Sequence, residues 1–216
     1  ENLTYCDESE LQENTQYTRK VSAYNSVGES DKSSSVSAYT LVSKPTIAAG
    51  VTKTSNSISL LALGIVNNSE VYFDCEESGC DTGLNQWTTE SSVIATSLDF
   101  NTPYNFRVKG RNGDDIETEY SDSIQLYTLS TIPSLSLSPV SSSTISLEAQ
   151  NVNNLSYGSS GIYIECEDEN CNEGIGTWSQ NEISTVNNLS PNSLYFFRIK
   201  ARNYDSIETD FSDYAG

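Results

Sequence analysis

Histidine is absent from this 216-residue chain, which removes the commonest acid–base side chain of enzymes. Neither a Gly-x-Ser-x-Gly elbow nor a phosphate-binding loop is present, so the sequence points away from catalysis. Basic residues are scarce: 11 Lys and Arg stand against 30 Asp and Glu, a formal net charge of −19. Nucleic acid is a poor partner for such a chain, because phosphate binding needs clustered cations. Solubility and self-repulsion between neighbours are the simplest uses of the acidity. No apolar run approaches the roughly 18 residues of a membrane-spanning helix, so no membrane insertion is expected. A starting Met and a basic-then-apolar leader are also missing, and any signal peptide is expected to have been removed.

What is present is repetition. Leu98-x3-Thr102-x-Tyr104-x-Phe106-Arg107-Val108-x-Gly110-x-Asn112 recurs as Leu189-x3-Ser193-x-Tyr195-x-Phe197-Arg198-Ile199-x-Ala201-x-Asn203. A shorter echo, Leu11-x3-Thr15-x-Tyr17 with Val21, Ala23 and Asn25, precedes both. A period of about 90 residues reads as a tandem array of small domains. Within the repeats, Val71, Phe73 and Cys75 alternate with Tyr72, Asp74 and Glu76, and Ile162, Ile164 and Cys166 with Tyr163, Glu165 and Glu167. Tyr104, Phe106, Val108 and Gly110 form a further apolar face opposite Asn105, Arg107 and Lys109. Period two with one apolar face predicts strands that cover a core on one side. Short strands broken by Gly, Asn and Ser predict an all-β fold of antiparallel sandwiches.

Of the five cysteines, Cys75 and Cys80 match Cys166 and Cys171 in position within their repeats. Such local pairs predict two short disulfides, each contributing about 2 kcal/mol, and an oxidising compartment. A zinc site would need about four N or S ligands, more than each repeat offers. Cys6 has no counterpart. Prolines at the ends of 41–45 and 129–133 mark short, stiff linkers. They divide the chain into 1–41, 42–130 and 131–216.

The Leu-x-Pro-Asn-Ser-x-Tyr phrase at 189–195, with its echo at 98–104, resembles strands E and F of fibronectin type III domains. Pro45 and Pro133 are similarly placed to the start of strand A, and Trp87 and Trp178 to an aromatic of strand C′. The resemblance implies tyrosine corners at Tyr17, Tyr104 and Tyr195, each hydroxyl bonding nearby backbone. It also implies that residues 1–41 hold strands E to G alone, and that the third domain lacks its last strand. Ala62 and Ala149 stand where the family has a strand-B tryptophan, so Trp87 and Trp178 are expected to fill that volume. Arg19 takes the inward position of Phe106 and Phe197, so the first copy is expected to have drifted or to open its core there.

The aligned acidic stretches 112–122 and 203–213 would form the F–G turn and the start of strand G. Asp114, Asp115, Glu117, Glu119, Asp205, Glu208 and Asp210 are candidate calcium ligands, although no D-x-D-x-D-G loop is present. Solvated turn acids are the simpler reading. The family's integrin-binding Arg-Gly-Asp is not reproduced at Asn112-Gly113-Asp114. Asn2, Asn67, Asn154 and Asn188 occupy Asn-x-Ser/Thr sequons, which permit glycosylation.

The resemblance implies an extracellular or cell-surface location and a non-catalytic role in spacing, extension or fibre assembly. Partners would be neighbouring domains or copies of the same protein. The alternatives are an adhesin or receptor-type binding module, with the longer B–C loop around Asn154 to Gly161 tuning specificity, and an accessory spacer of a secreted carbohydrate-active enzyme.

Overall fold

A computed structural model describes residues 5–168 and 171–216. Every regular element among them is a β-strand. The chain forms two compact units: Glu1–Gly50 with Leu60–Ile94 and Asn105–Ile124, and Val51–Ser59 with Ala95–Tyr104 and Gln125–Gly216. This division crosses the second repeat, because each junction gathers the end of one repeat and parts of the next into one unit.

Among the described residues of the first repeat, the strands β1 (Gln16–Arg19) and β2 (Val36–Tyr39) pair, antiparallel, with Tyr17 opposite Ala38, and Tyr24 bridges Glu29. The strand E expected here is not formed: residues 5–9, the counterparts of a strand in the second repeat, are irregular. Strand E pairs with strand B in the later repeats, and no described residue pairs with residues 5–9 in that way. Arg19 is exposed and paired with Glu8 rather than turned into a core. Val21 and Val36 are also largely exposed.

The second repeat contains β3 (Thr46–Lys53), β4 (Ser57–Leu63), β5 (Glu70–Cys75), β6 (Trp87–Thr88), β7 (Ser92–Thr96), β8 (Pro103–Arg111) and β9 (Ile124–Tyr127). Its sheets run β3-β4-β7 and β6-β5-β8-β9. Side chains of β5 and β8 alternate between buried and half-buried along their whole length, as period two requires.

The third repeat contains β10 (Ser134–Ser141), β11 (Thr144–Gln150), β12 (Gly161–Cys166), β13 (Ile183–Val186) and β14 (Phe197–Arg202), in sheets β10-β11-β13 and β12-β14. Their inner faces enclose one core that includes Leu147, Ile162, Ile164, Val186, Phe197 and Ile199. This is an antiparallel β-sandwich. Pro133 immediately precedes β10, where its missing N–H costs no ladder bond, and Pro139 sits at a register shift on that edge strand. Beyond β14, residues 208–215 run back along it. The Thr209, Ser212 and Ala215 N–H groups donate to the Ala201, Ile199 and Phe197 carbonyls.

The tryptophans do not fill the space left by Ala62 and Ala149. Trp87 pairs opposite Tyr72, so it shares Tyr72's outward face while Val71 and Phe73 point inward. Trp178 likewise packs on the outward Tyr163, with ring centroids 5.6 Å apart. In the third repeat Leu155, from the loop after β11, joins the core around Ala149 instead.

Candidate functional site

Six of the nine buried polar residues among those described gather where repeats meet. Asn14, Asn101, Asn112, Asn203, Thr128 and Ser160 are at least nine-tenths buried. A buried amide is costly unless bonded, so their partners define a built structure.

At the first joint, Asn14 Nδ2 donates to the Asn67 carbonyl (2.9 Å) and its Oδ1 accepts the Gly113 N–H (2.8 Å). In return Asn67 Nδ2 donates to the Glu13 carbonyl (2.8 Å) and Asn112 Nδ2 to the Thr40 carbonyl (3.2 Å). The Tyr39 N–H donates to Asp114 (2.7 Å). Gly113 lies flat against Tyr39: an added Cβ would meet its ring at 2.6 Å.

The second joint repeats this chemistry with Asn101, Asn154, Asn203 and Thr128 in the corresponding places. Asn101 Nδ2 donates to the Asn153 carbonyl (2.6 Å), and its Oδ1 accepts the Ser160 hydroxyl (3.1 Å). Asn154 Nδ2 donates to the Asn101 carbonyl and the Thr102 hydroxyl, and Asn203 Nδ2 to the Thr128 carbonyl (3.2 Å). Tyr127 stacks on Tyr204, centroids 4.0 Å apart and planes 2° from parallel. Burial, then the neighbouring Tyr204, pushes the Tyr127 hydroxyl pKa up. Lys53 adds an ion pair to Asp205 (3.3 Å).

Local backbone explains why asparagine serves here. Asn14, Asn67, Asn101 and Asn154 all have positive φ, between 44° and 50°. Asparagine tolerates that left-handed region better than most residues, and its amide both donates and accepts.

The three tyrosines hold the loops that present this joint. The hydroxyls of Tyr17, Tyr104 and Tyr195 accept the N–H groups of Gln12 (3.1 Å), Asp99 (2.8 Å) and Ser190 (2.7 Å). Disulfides join Cys75 to Cys80 and Cys166 to Cys171, and Cys6 is free and exposed. The one cluster of potential metal ligands among the described residues is Cys75, Glu77 and Cys80. Its sulfurs are joined to each other, and Glu77 accepts both N–H groups of Asn105.

The candidate calcium ligands do not converge among the described residues. Asp114 is taken by Tyr39, Asp115 by Arg111 (3.0 Å), Glu117 by Lys109, Asp205 by Lys53 and Glu208 by Lys200. Glu119 and Asp210 lie beside these without joining a common point. Asn2 falls outside the described residues.

The cations of β8 and β14 are likewise spent internally. Arg107 lies over Tyr120 (4.2 Å) and Arg111 over Trp87 (4.4 Å), with Lys109 between, near Tyr72, Trp87 and Tyr120. Arg198, Lys200 and Arg202 repeat the stack over Phe211, Tyr163 and Trp178. Each partly desolvated pair contributes about 1 kcal/mol. Sequence periodicity places these residues outside the core, but their mutual stacking depends on pairing register.

No family model and no curated protein matches the chain. Among solved structures it is similar to a two-domain fibronectin type III segment of chicken tenascin: 13% identity, 80% of this chain, 98% of that one, TM-score 0.45. It is also similar to the FN1–FN3 domains of chicken CNTN1: 18% identity, 93% and 73% coverage, TM-score 0.31. Both are tandem fibronectin type III segments.

Proposed function

We propose that this chain is a non-catalytic structural segment of an extracellular repeat protein, in which the joints hold domains 1–41, 42–130 and 131–216 in fixed succession. One observation carries the reading: the same asparagine clasp, with Asn14 and Asn112 or Asn101 and Asn203 buried in it, closes both joints. A flexible string would leave its linkers solvated, with no reason to bury polar groups there. The longer B–C loop of the third repeat also favours spacing over ligand recognition. Its Ser160 bonds Asn101, and Gly158 packs beneath Tyr204, so these parts of the loop serve the joint. Two short disulfides suit an oxidising compartment.

Backbone ¹⁵N relaxation tests the reading. The second and third repeats should share one rotational correlation time, and an Asn101→Ala/Asn154→Ala chain should show two. Independent tumbling in the unaltered chain, or no change in the double variant, would remove the basis for a spacer.

A further inference from the structure

The third repeat carries half of another joint. In every repeat the loop before the tyrosine holds two left-handed residues four positions apart. They are Glu10 and Asn14 (φ 60° and 44°), Ser97 and Asn101 (62° and 48°), and Asn188 and Asn192 (57° and 54°). In each, the tyrosine hydroxyl pins the backbone N–H five residues upstream. The following hydroxyl turns onto a carbonyl two residues back: Thr15 to Glu13, Thr102 to Phe100 and Ser193 to Pro191.

The environments differ where the backbones agree. Asn14 and Asn101 are buried beneath the next repeat, whereas Asn192 is exposed and none of the described hydrogen bonds uses its side chain. The third loop thus holds the shape of the other two, with its Asn192 left exposed among the described residues, and a preformed loop costs little to dock. What covers the first two loops is on the page. It is the start of a following repeat, bringing a left-handed asparagine after strand B (Asn67 or Asn154) and a second at the F–G turn (Asn112 or Asn203).

We infer that the Asn188–Ser193 loop is a docking site for a further repeat of this same kind, one carrying both asparagines. The inference rests on the reading of the joints as the working part of the chain. The β14 pairing supplies a direct test, because Ala215 bridges Phe197 at the place where β9 begins in the second repeat. Residues 1–214 followed by 124–216 therefore give the third repeat a full last strand, a linker and a further copy of the third repeat, which brings both Asn154 and Asn203. Hydrogen exchange of the Asn192 and Ser193 amides should slow more than tenfold relative to the 216-residue chain, and Asn192→Ala should reverse most of that protection. The Ser190 amide, bonded to Tyr195, reports whether the loop itself remains folded. Unchanged exchange at Asn192 in the lengthened chain, with Asn101→Ala still loosening the second joint, overturns this inference alone. If Asn101→Ala also has no effect, the reading of the joints fails with it.

Discussion

Replacing Asn101 by alanine removes a side chain that is 2% exposed and bonded in both directions. Its Nδ2 leaves the Asn153 carbonyl without that donor, and its Oδ1 leaves the Ser160 hydroxyl, itself 1% exposed, without an acceptor. Each lost bond costs about 1 kcal/mol net. Alanine at a φ of 48° adds about 1 kcal/mol of backbone strain. The total is about 3 kcal/mol, borne by the second joint. Two controls separate the parts. Asn101→Gly keeps the hydrogen-bond loss and relieves the strain, so it should cost about 2 kcal/mol. Asn192→Ala in the 216-residue chain keeps the strain at a φ of 54° without the bonds, and should cost about 1 kcal/mol. Native-state hydrogen exchange is the right assay, because a multi-repeat chain does not unfold in one step. The Leu129 amide, bonded to the Thr54 carbonyl beside the joint, is a suitable reporter. An Asn101→Ala loss no larger than that of Asn192→Ala would refute the clasp as a source of stability.

Tyr104→Phe leaves the Asp99 N–H without its acceptor and should cost about 1–2 kcal/mol in urea unfolding, with Tyr17→Phe costing less because its loop is exposed. Reducing both disulfides should remove about 2 kcal/mol from each of the second and third repeats, seen as lowered melting without loss of the sheet signal at moderate temperature. The Ser43 hydroxyl and N–H hold the Glu13 carboxyl below the usual carboxylate range. The folded value is the lower one, so this contribution is complete above the ordinary carboxylate pKa and fades as pH falls through the depressed one. Carbon-detected titration of Glu13 should show the depression, and Ser43→Ala, which removes the hydroxyl and keeps the N–H, should reduce it.

Strand periodicity made the sandwich legible, because apolar alternation along β5, β8, β12 and β14 follows directly from one-sided burial. The tyrosine corners and the cysteine pairs were legible through their recurrence. The joints were not. Asn14, Asn67, Asn101 and Asn154 look like ordinary turn asparagines, and only their partners, 52 to 99 residues away, distinguish them. Their one sequence signal was that Asn14, Asn101 and Asn192 keep the same place before each tyrosine. The tryptophans misled for a related reason. A bulky aromatic suggests a core, but the pairing of Trp87 with Tyr72 sets its face, and pairing is not written in local composition.

The clasp has a biosynthetic corollary. An N-linked sugar is carried on the side-chain amide nitrogen of a sequon asparagine. At Asn67 and Asn154 that nitrogen is the atom that closes a joint, through the Glu13 and Asn101 carbonyls respectively. A sugar there would leave the nitrogen one N–H in place of two, so one of the two bonds that each amide donates would be lost, whereas Asn188 spends its amide only on the exposed Glu173 carboxylate. A chain glycosylated before its repeats close would then carry joints one hydrogen bond short at each modified asparagine.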